Sequence, residues 1–160
     1  MSKSTVLEVA EEFYNVKQTY LKFIEHLKTI IADNNKYFET IVGDDLKFYF
    51  KFLNKIFVIK LSLRYDTEDD YYFGEINFEK VVQFTHENGV FRSLQEKPIE
   101  FYKEGETFSF PNKIIYYVSG KLAEPKKNYN ITKNSDAETI LFKWLHNYTR
   151  SAEFKSDLRF

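Results

Sequence analysis

The sequence predicts an α+β fold: a long N-terminal helix, an antiparallel meander of about five to six strands, and a C-terminal helix. Three observations carry this prediction. Apolar residues follow a helical repeat at the start of the chain, occupy every second position through its middle, and follow a helical repeat again near its end. Both helices are expected to pack on the apolar face of the sheet. Residues 1–160 are expected to form one domain, because the chain has an ordinary domain length.

The first helix is predicted to begin at Thr5 and to end within 33–35. Thr5 and Glu8 match a capping box, and the sequence Asp-Asn-Asn at 33–35 favours a helix stop. Additional apolar residues make the stripe wider than a heptad seam, so packing across a sheet is favoured over a dimeric coiled coil. The stripe consists of Val6, Val9, Phe13, Val16, Tyr20, Phe23, Leu27 and Ile30.

A β-hairpin is predicted over 46–65, where apolar and polar side chains alternate. A two-residue turn at 54–55 would pair Phe52 with Phe57 and would keep every apolar side chain on one face. That face is predicted to be dry and the other to be exposed to water. The predicted wet face carries Lys47, Tyr49, Lys51, Lys60, Ser62 and Arg64.

Further strands are predicted after an acidic loop at 66–70, beginning with a strand over 71–78. The stretch 79–86 fits either a strand or a short helix. A strand is favoured, because an Asn-Gly turn at 88–89 and an apolar partner segment follow it. Later strands, with turns between them, are predicted at 99–102, 107–110 and 114–119.

A loop is predicted at 120–134, and the second helix follows it. Ser135 and Glu138 match another capping box at the start of this helix. No structure is assigned to 151–160. The apolar face of the helix consists of Ala137, Ile140, Leu141, Trp144, Leu145 and Tyr148.

The composition excludes several kinds of functional site. The chain has no Cys, which excludes disulfides, thiolate zinc sites, iron–sulfur clusters and cysteine nucleophiles. Its 5 Gly are too scattered for a phosphate-binding loop, and its 3 His lack the spacing of metal ligands. We therefore predict no cofactor and no metal, and an enzyme ranks last among the functional alternatives.

Charge and hydropathy bear on the partner and the location. A formal net charge of −1 argues against binding to nucleic acid or to a membrane surface through bulk charge. The first residues lack the apolar region of a signal peptide, and no stretch is long and apolar enough for a membrane span. A cytoplasmic location without a membrane partner is expected.

The candidate functional segment is the acidic loop together with the tyrosines that follow it. Tyrosine is enriched at protein interfaces, and clustered carboxylates favour a basic partner. Two other interpretations stay open. The loop is a solvated hairpin end whose tyrosines pack within a strand, or it holds a divalent cation, although the pattern of a calcium loop is absent. The candidate partner-binding residues are Asp66, Glu68, Asp69, Asp70, Tyr71 and Tyr72.

The favoured function is a non-catalytic, cytosolic protein-binding module, such as an inhibitor, an immunity protein or a chaperone. One alternative is an apolar small molecule held in a cavity between helix and sheet, because aromatic residues make up 19% of the chain. A second is single-stranded nucleic acid stacked on the wet sheet face, although the net charge disfavours it. The oligomeric state is left open.

Overall fold

The computed structural model describes residues 3–68, 71–99, 112–118, 120–122 and 128–158. Its helices are α1 (Lys3–Asp33), α2 (Asn134–Thr149) and α3 (Ala152–Asp157). The strands of the described residues are β1 (Phe38–Ile41), β2 (Lys47–Phe52), β3 (Lys55–Asp66), β4 (Tyr71–Glu87), β5 (Val90–Pro98) and β6 (Lys113–Tyr116).

The described strands form one antiparallel sheet in the order β1-β2-β3-β4-β5, and β6 pairs with the first half of β4. Helices α1 and α2 contact each other and cover the same face of the sheet. The predicted α+β class, with a long N-terminal helix and a largely meandering sheet, is confirmed. No helix in the described ranges combines the length and the apolar character that crossing a membrane requires.

The main core lies between the sheet and the two long helices, and aromatic rings dominate it. Phe57 stacks on Phe50 and on Phe78, with ring centroids 5.6 and 5.4 Å apart. Trp144 of α2 also stacks on Phe78, at 5.3 Å between centroids, and meets Phe23 of α1 edge-on. A continuous series of rings therefore joins both long helices to the middle of the sheet.

Two buried tyrosines also tie α1 to the sheet. The hydroxyl of Tyr20 donates a hydrogen bond to the carbonyl of Ile59 at 2.7 Å. The hydroxyl of Tyr116 donates to the carbonyl of Val16 at 2.6 Å. Burial raises the pKa of both phenols, so they stay neutral donors. These hydrogen bonds satisfy the polar ends of two rings that the core otherwise surrounds with apolar atoms.

The β2–β3 hairpin uses a register two residues away from the predicted one. Its turn lies at Leu53 and Asn54. The partner of Phe57 is Phe50, whereas the predicted partner is Phe52. Because side chains alternate with a period of two, this shift leaves the same residues on the core face. The observed register allows Phe50 and Phe57 to stack beneath the helices. The face prediction is confirmed, and the pairing prediction is wrong.

The hairpin turn places a leucine in a left-handed conformation. Leu53 has a φ of 51° and Asn54 a φ of 62°, values typical of the type I′ turn that favours Asn and Gly. Leu53→Asn is expected to raise the free energy of unfolding by about 0.5–1 kcal/mol, because the Leu53 side chain is 50% exposed and Asn tolerates this backbone. Urea denaturation measures the change. Leu53→Ala is the control, since it shortens the side chain but does not relieve the strain of the left-handed backbone. Equal stabilities of the two variants would contradict the prediction.

The reverse face of the sheet is not fully wet, contrary to the prediction. Tyr49 is only 2% exposed, because β5 lies across this face and brings Phe91 against its ring, with centroids 4.7 Å apart. The Tyr49 hydroxyl is also 2.7 Å from the hydroxyl of Ser93. The pairing of β4 with β5 is irregular near 81–84, where the register shifts. A small second core of Tyr49, Val58, Val81 and Phe91 results.

The remaining element predictions have mixed outcomes. The stretch 79–86 is strand, within β4, as favoured, and the last predicted strand is present as β6. The predicted strand at 107–110, and most of that at 99–102, lie outside the described residues. The second capping box is wrong: α2 begins at Asn134, and Lys133 at its N-cap makes no side-chain capping bond. Asp136 instead accepts a hydrogen bond from the backbone N–H of Asn130, which fixes the preceding loop against the helix.

Candidate protein-binding groove

The helix–sheet sandwich is open at the end where β3 leads into β4. A groove of about 560 Å³ lies there between the first turns of α1 and the sheet. We call it the end groove. It is lined by Thr5, Glu8, Val9, Glu12, Tyr65, Tyr71 and Tyr72.

The end groove exists because two elements extend beyond the packed core. Helix α1 begins at Lys3, but among its described side chains, which start at Thr5, Val16 is the first that is buried. On the opposite side, β3 and β4 continue to the end of their hairpin, where Tyr65 pairs with Tyr72. The apolar stripe of α1 therefore runs past the main core, and Val9, which is half-buried, lines the end groove.

The sheet side of the end groove is an aromatic wall. The rings of Tyr65 and Tyr72 lie 4.8 Å apart between centroids, and Tyr65 is 45% exposed. Tyr71 is held by Tyr117, whose hydroxyl is 3.0 Å from its own. That hydrogen bond raises the pKa of Tyr71, so its phenol is neutral at physiological pH. The wall thus offers fixed, amphipathic rings, which are typical contact residues of protein interfaces.

The helix side of the end groove is acidic. Glu8 and Glu12 are four residues apart, so their carboxylates project from the same side of α1. Within the described parts of the chain, no basic side chain forms an ion pair with either of them. Several other carboxylates are paired, as in Asp45 with Lys17, Glu75 with Arg64, Glu79 with Lys60, and Glu96 with Lys47.

The structure brings some of the predicted site residues into the end groove. Tyr71 and Tyr72 line it, as the sequence-based hypothesis requires of a contact surface. Asp66 and Glu68 lie at the end of the hairpin but do not line the groove. The Asp66 carboxylate accepts a hydrogen bond from the Glu68 backbone N–H at 2.8 Å and so shapes the turn. Two further predicted residues, Asp69 and Asp70, lie outside the described residues.

Sequence reasoning missed the helix side of the end groove. The sequence pattern places Glu8 only in a capping box with Thr5, and Val9 only in the core stripe. The capping box is wrong, because α1 already begins at Lys3 and Thr5 lies inside the helix. The spacing of Glu8 and Glu12 was visible, but nothing local indicates that this part of α1 faces the hairpin end. The alternation over 46–65 places Tyr65 on the core-facing side of β3, but Tyr65 is 45% exposed and lies outside the main core.

The alternative functions find less support in the geometry. Tyr49 is buried, and Lys47 and Lys60 are paired with Glu96 and Glu79, so the surface suggested for nucleic acid is largely occupied. A groove of about 300 Å³, lined by Ile24 among others, lies between α1 and the β1–β2 connection. Because this groove could hold a small molecule, the binding of an apolar ligand stays an open hypothesis. Across the described ranges, no cluster of three or more His, Asp or Glu side chains is placed to hold a metal ion.

Comparison with known proteins adds no functional information. No family model, no curated protein and no solved structure matches this chain. The function is therefore argued from the chemistry of the end groove.

Proposed function

We propose that this protein is a non-catalytic binding module that captures another protein through the end groove. The observation that carries the proposal is that tyrosines line one wall, with Tyr65 45% exposed, while the other wall presents Glu8 and Glu12, to which the described residues supply no basic partner. Aromatic anchors supply contact area at an interface, and uncompensated charge selects a partner of opposite sign. The partner is therefore a protein with a basic contact surface.

The biological role that suits this design is that of an inhibitor, an immunity protein or a chaperone. Each of these acts by holding a partner rather than by transforming a substrate, so each needs a recognition surface and no catalytic group. We also propose a cytoplasmic location. A chain without Cys is compatible with a reducing compartment, which supports that location without identifying it.

Removing one group from each wall of the end groove is expected to weaken partner capture strongly. In Tyr72→Ser/Glu12→Gln, the amount of partner recovered by affinity purification from the native host should fall at least about tenfold, because a single interface hot spot commonly has that effect. Quantitative mass spectrometry measures the recovery. The melting temperature should change little, since neither side chain belongs to the main core.

Tyr14→Ser/Glu11→Gln is a matched control with the same chemical changes. Both residues are exposed on α1, and neither lines the end groove. The control should recover the same partner as the wild-type chain. Undiminished capture by the groove variant, or equal losses in both variants, would contradict the proposed function.

A further inference from the structure

We propose that the end groove receives an arginine side chain from an extended segment of the partner. This inference rests on the proposed function and adds the chemistry of the group that is recognised. It follows from the two walls taken together, since one wall presents aromatic rings and the other presents two neighbouring carboxylates.

The aromatic wall suits a planar cation. Tyr65 and Tyr72 stand side by side with their rings tilted by 47° and their centroids 4.8 Å apart. A guanidinium stacks on such faces through both its charge and its flat, weakly hydrated surface. A lysine ammonium is a compact and strongly hydrated charge, so it loses more hydration in the same position.

The acidic wall supplies the hydrogen-bond acceptors that a guanidinium needs. Glu8 and Glu12 present carboxylates one helical turn apart, and the described residues contain no basic side chain paired with them. Arginine carries five N–H donors in a planar fork and pairs with carboxylates in a bidentate manner. Because both walls line the same groove, the proposed arginine would meet carboxylates on one side and tyrosine rings on the other.

Other occupants fit the end groove less well. A purely apolar side chain would cover Glu8 and Glu12 without offering hydrogen bonds, which costs free energy. An acidic peptide or a nucleic acid would bring like charge against the carboxylates. The volume of about 560 Å³ is large enough for a long side chain and part of its backbone, which suits an extended segment.

A peptide titration followed by NMR tests the inference. The probe is a peptide of three arginines separated by Gly-Ser pairs, compared with otherwise identical lysine and citrulline peptides. The arginine peptide should produce saturable shifts at the backbone amides of Glu8, Val9, Glu12, Tyr65 and Tyr72. The lysine peptide should bind at least about threefold more weakly, and the neutral citrulline peptide should not saturate. Added salt should weaken binding.

Variants with matched charge changes complete the test. Glu8→Gln/Glu12→Gln should reduce the affinity for the arginine peptide at least about tenfold. Glu11→Gln/Glu25→Gln removes two exposed carboxylates of α1 that do not line the end groove, and its affinity should stay within about twofold of wild type. The amide spectra report directly that each variant is folded.

Equal affinity for arginine and lysine peptides, or shifts centred outside the end groove, would overturn the inference. If the groove variant loses the partner in affinity purification while the arginine peptide fails to bind, the inference is wrong and the proposed function stands. If capture is also unaffected, both are wrong.

Discussion

Trp144→Ala is expected to lower the free energy of unfolding by about 3–5 kcal/mol, which is the usual cost of removing a large aromatic from a core. The indole is 0% exposed and connects three elements. It stacks on Phe78 of β4 at 5.3 Å between centroids and meets Phe23 of α1 edge-on at 6.1 Å. The cavity left by alanine would open between the two long helices and the sheet.

Chemical denaturation measures this loss as a lower midpoint. Trp144→Phe is the matched control, because it keeps a ring against Phe78 and should cost clearly less than the alanine variant. A loss below about 1 kcal/mol for Trp144→Ala would show that the helices do not depend on this contact, and the described core would then be wrong.

The second large effect is expected at a cluster of ion pairs between α3 and the sheet, formed by Lys80, Glu153 and Asp157. The ammonium of Lys80 lies 2.6 Å from a Glu153 carboxylate oxygen and 2.9 Å from one of Asp157. Tyr148 donates a further hydrogen bond to Asp157 at 2.6 Å. Because the three charged side chains are mostly buried, Lys80→Met would leave two carboxylates without their main partner. A loss of roughly 1–3 kcal/mol at pH 7 is expected.

The same cluster of ion pairs predicts that the free energy of unfolding depends on pH. The hydrogen bond from Lys80 lowers the pKa of Glu153 and outweighs burial, which acts the other way. Burial also opposes the charged form of Asp157, but hydrogen bonds from Tyr148 and Lys80 outweigh it and lower that pKa. Carboxyls with a lowered pKa in the folded state stabilise the fold fully above their unfolded pKa, about 4, and lose that contribution as the pH falls through the folded pKa.

The stability difference between wild type and Lys80→Met should therefore shrink as the pH falls from about 5 to below 3. In the variant, the two carboxylates lose their closest cation and keep only the longer ion pairs of Glu153 with Lys97, at 3.2 Å, and of Asp157 with Lys55, at 3.9 Å. Protonation of the carboxylates therefore costs the variant less stability than it costs the wild type. Urea denaturation at a series of pH values measures the difference. Lys22→Met, at an exposed position of α1, controls for the loss of one positive charge. A difference that stays constant with pH would contradict the assigned ion pairs.

The sequence predicts which face of each element is buried much better than it predicts which elements meet. Periodicity alone places Phe50 and Phe57 on the core face, because side-chain direction is a local property. It does not choose between registers two residues apart, since both keep the same faces buried. That choice depends on the left-handed turn at Leu53 and Asn54 and on ring stacking.

Features that need distant parts of the chain were not predictable from a local pattern. Tyr49 is buried only because β5 lies across the reverse face. The need for glycine at position 74 was likewise not predictable from a local pattern. A side chain there would collide with the ring of Tyr116, which β6 places against β4. The end groove was half predicted, since Tyr71 and Tyr72 belong to the acidic-aromatic segment. Its acidic wall was missed because the start of α1 and the hairpin end are far apart in sequence.

Site-specific photo-crosslinking in the native host tests whether the end groove is the surface that contacts the partner. A crosslinking amino acid would replace Thr5, which is exposed and lines the end groove, and in a second variant Tyr14, which is 57% exposed and does not line it. We expect a discrete crosslinked protein from position 5 and none from position 14. The position-5 crosslink should disappear when Tyr72→Ser/Glu12→Gln is added. A crosslink of equal yield from both positions, or one that survives the groove substitutions, would contradict the assignment of the end groove as the recognition site.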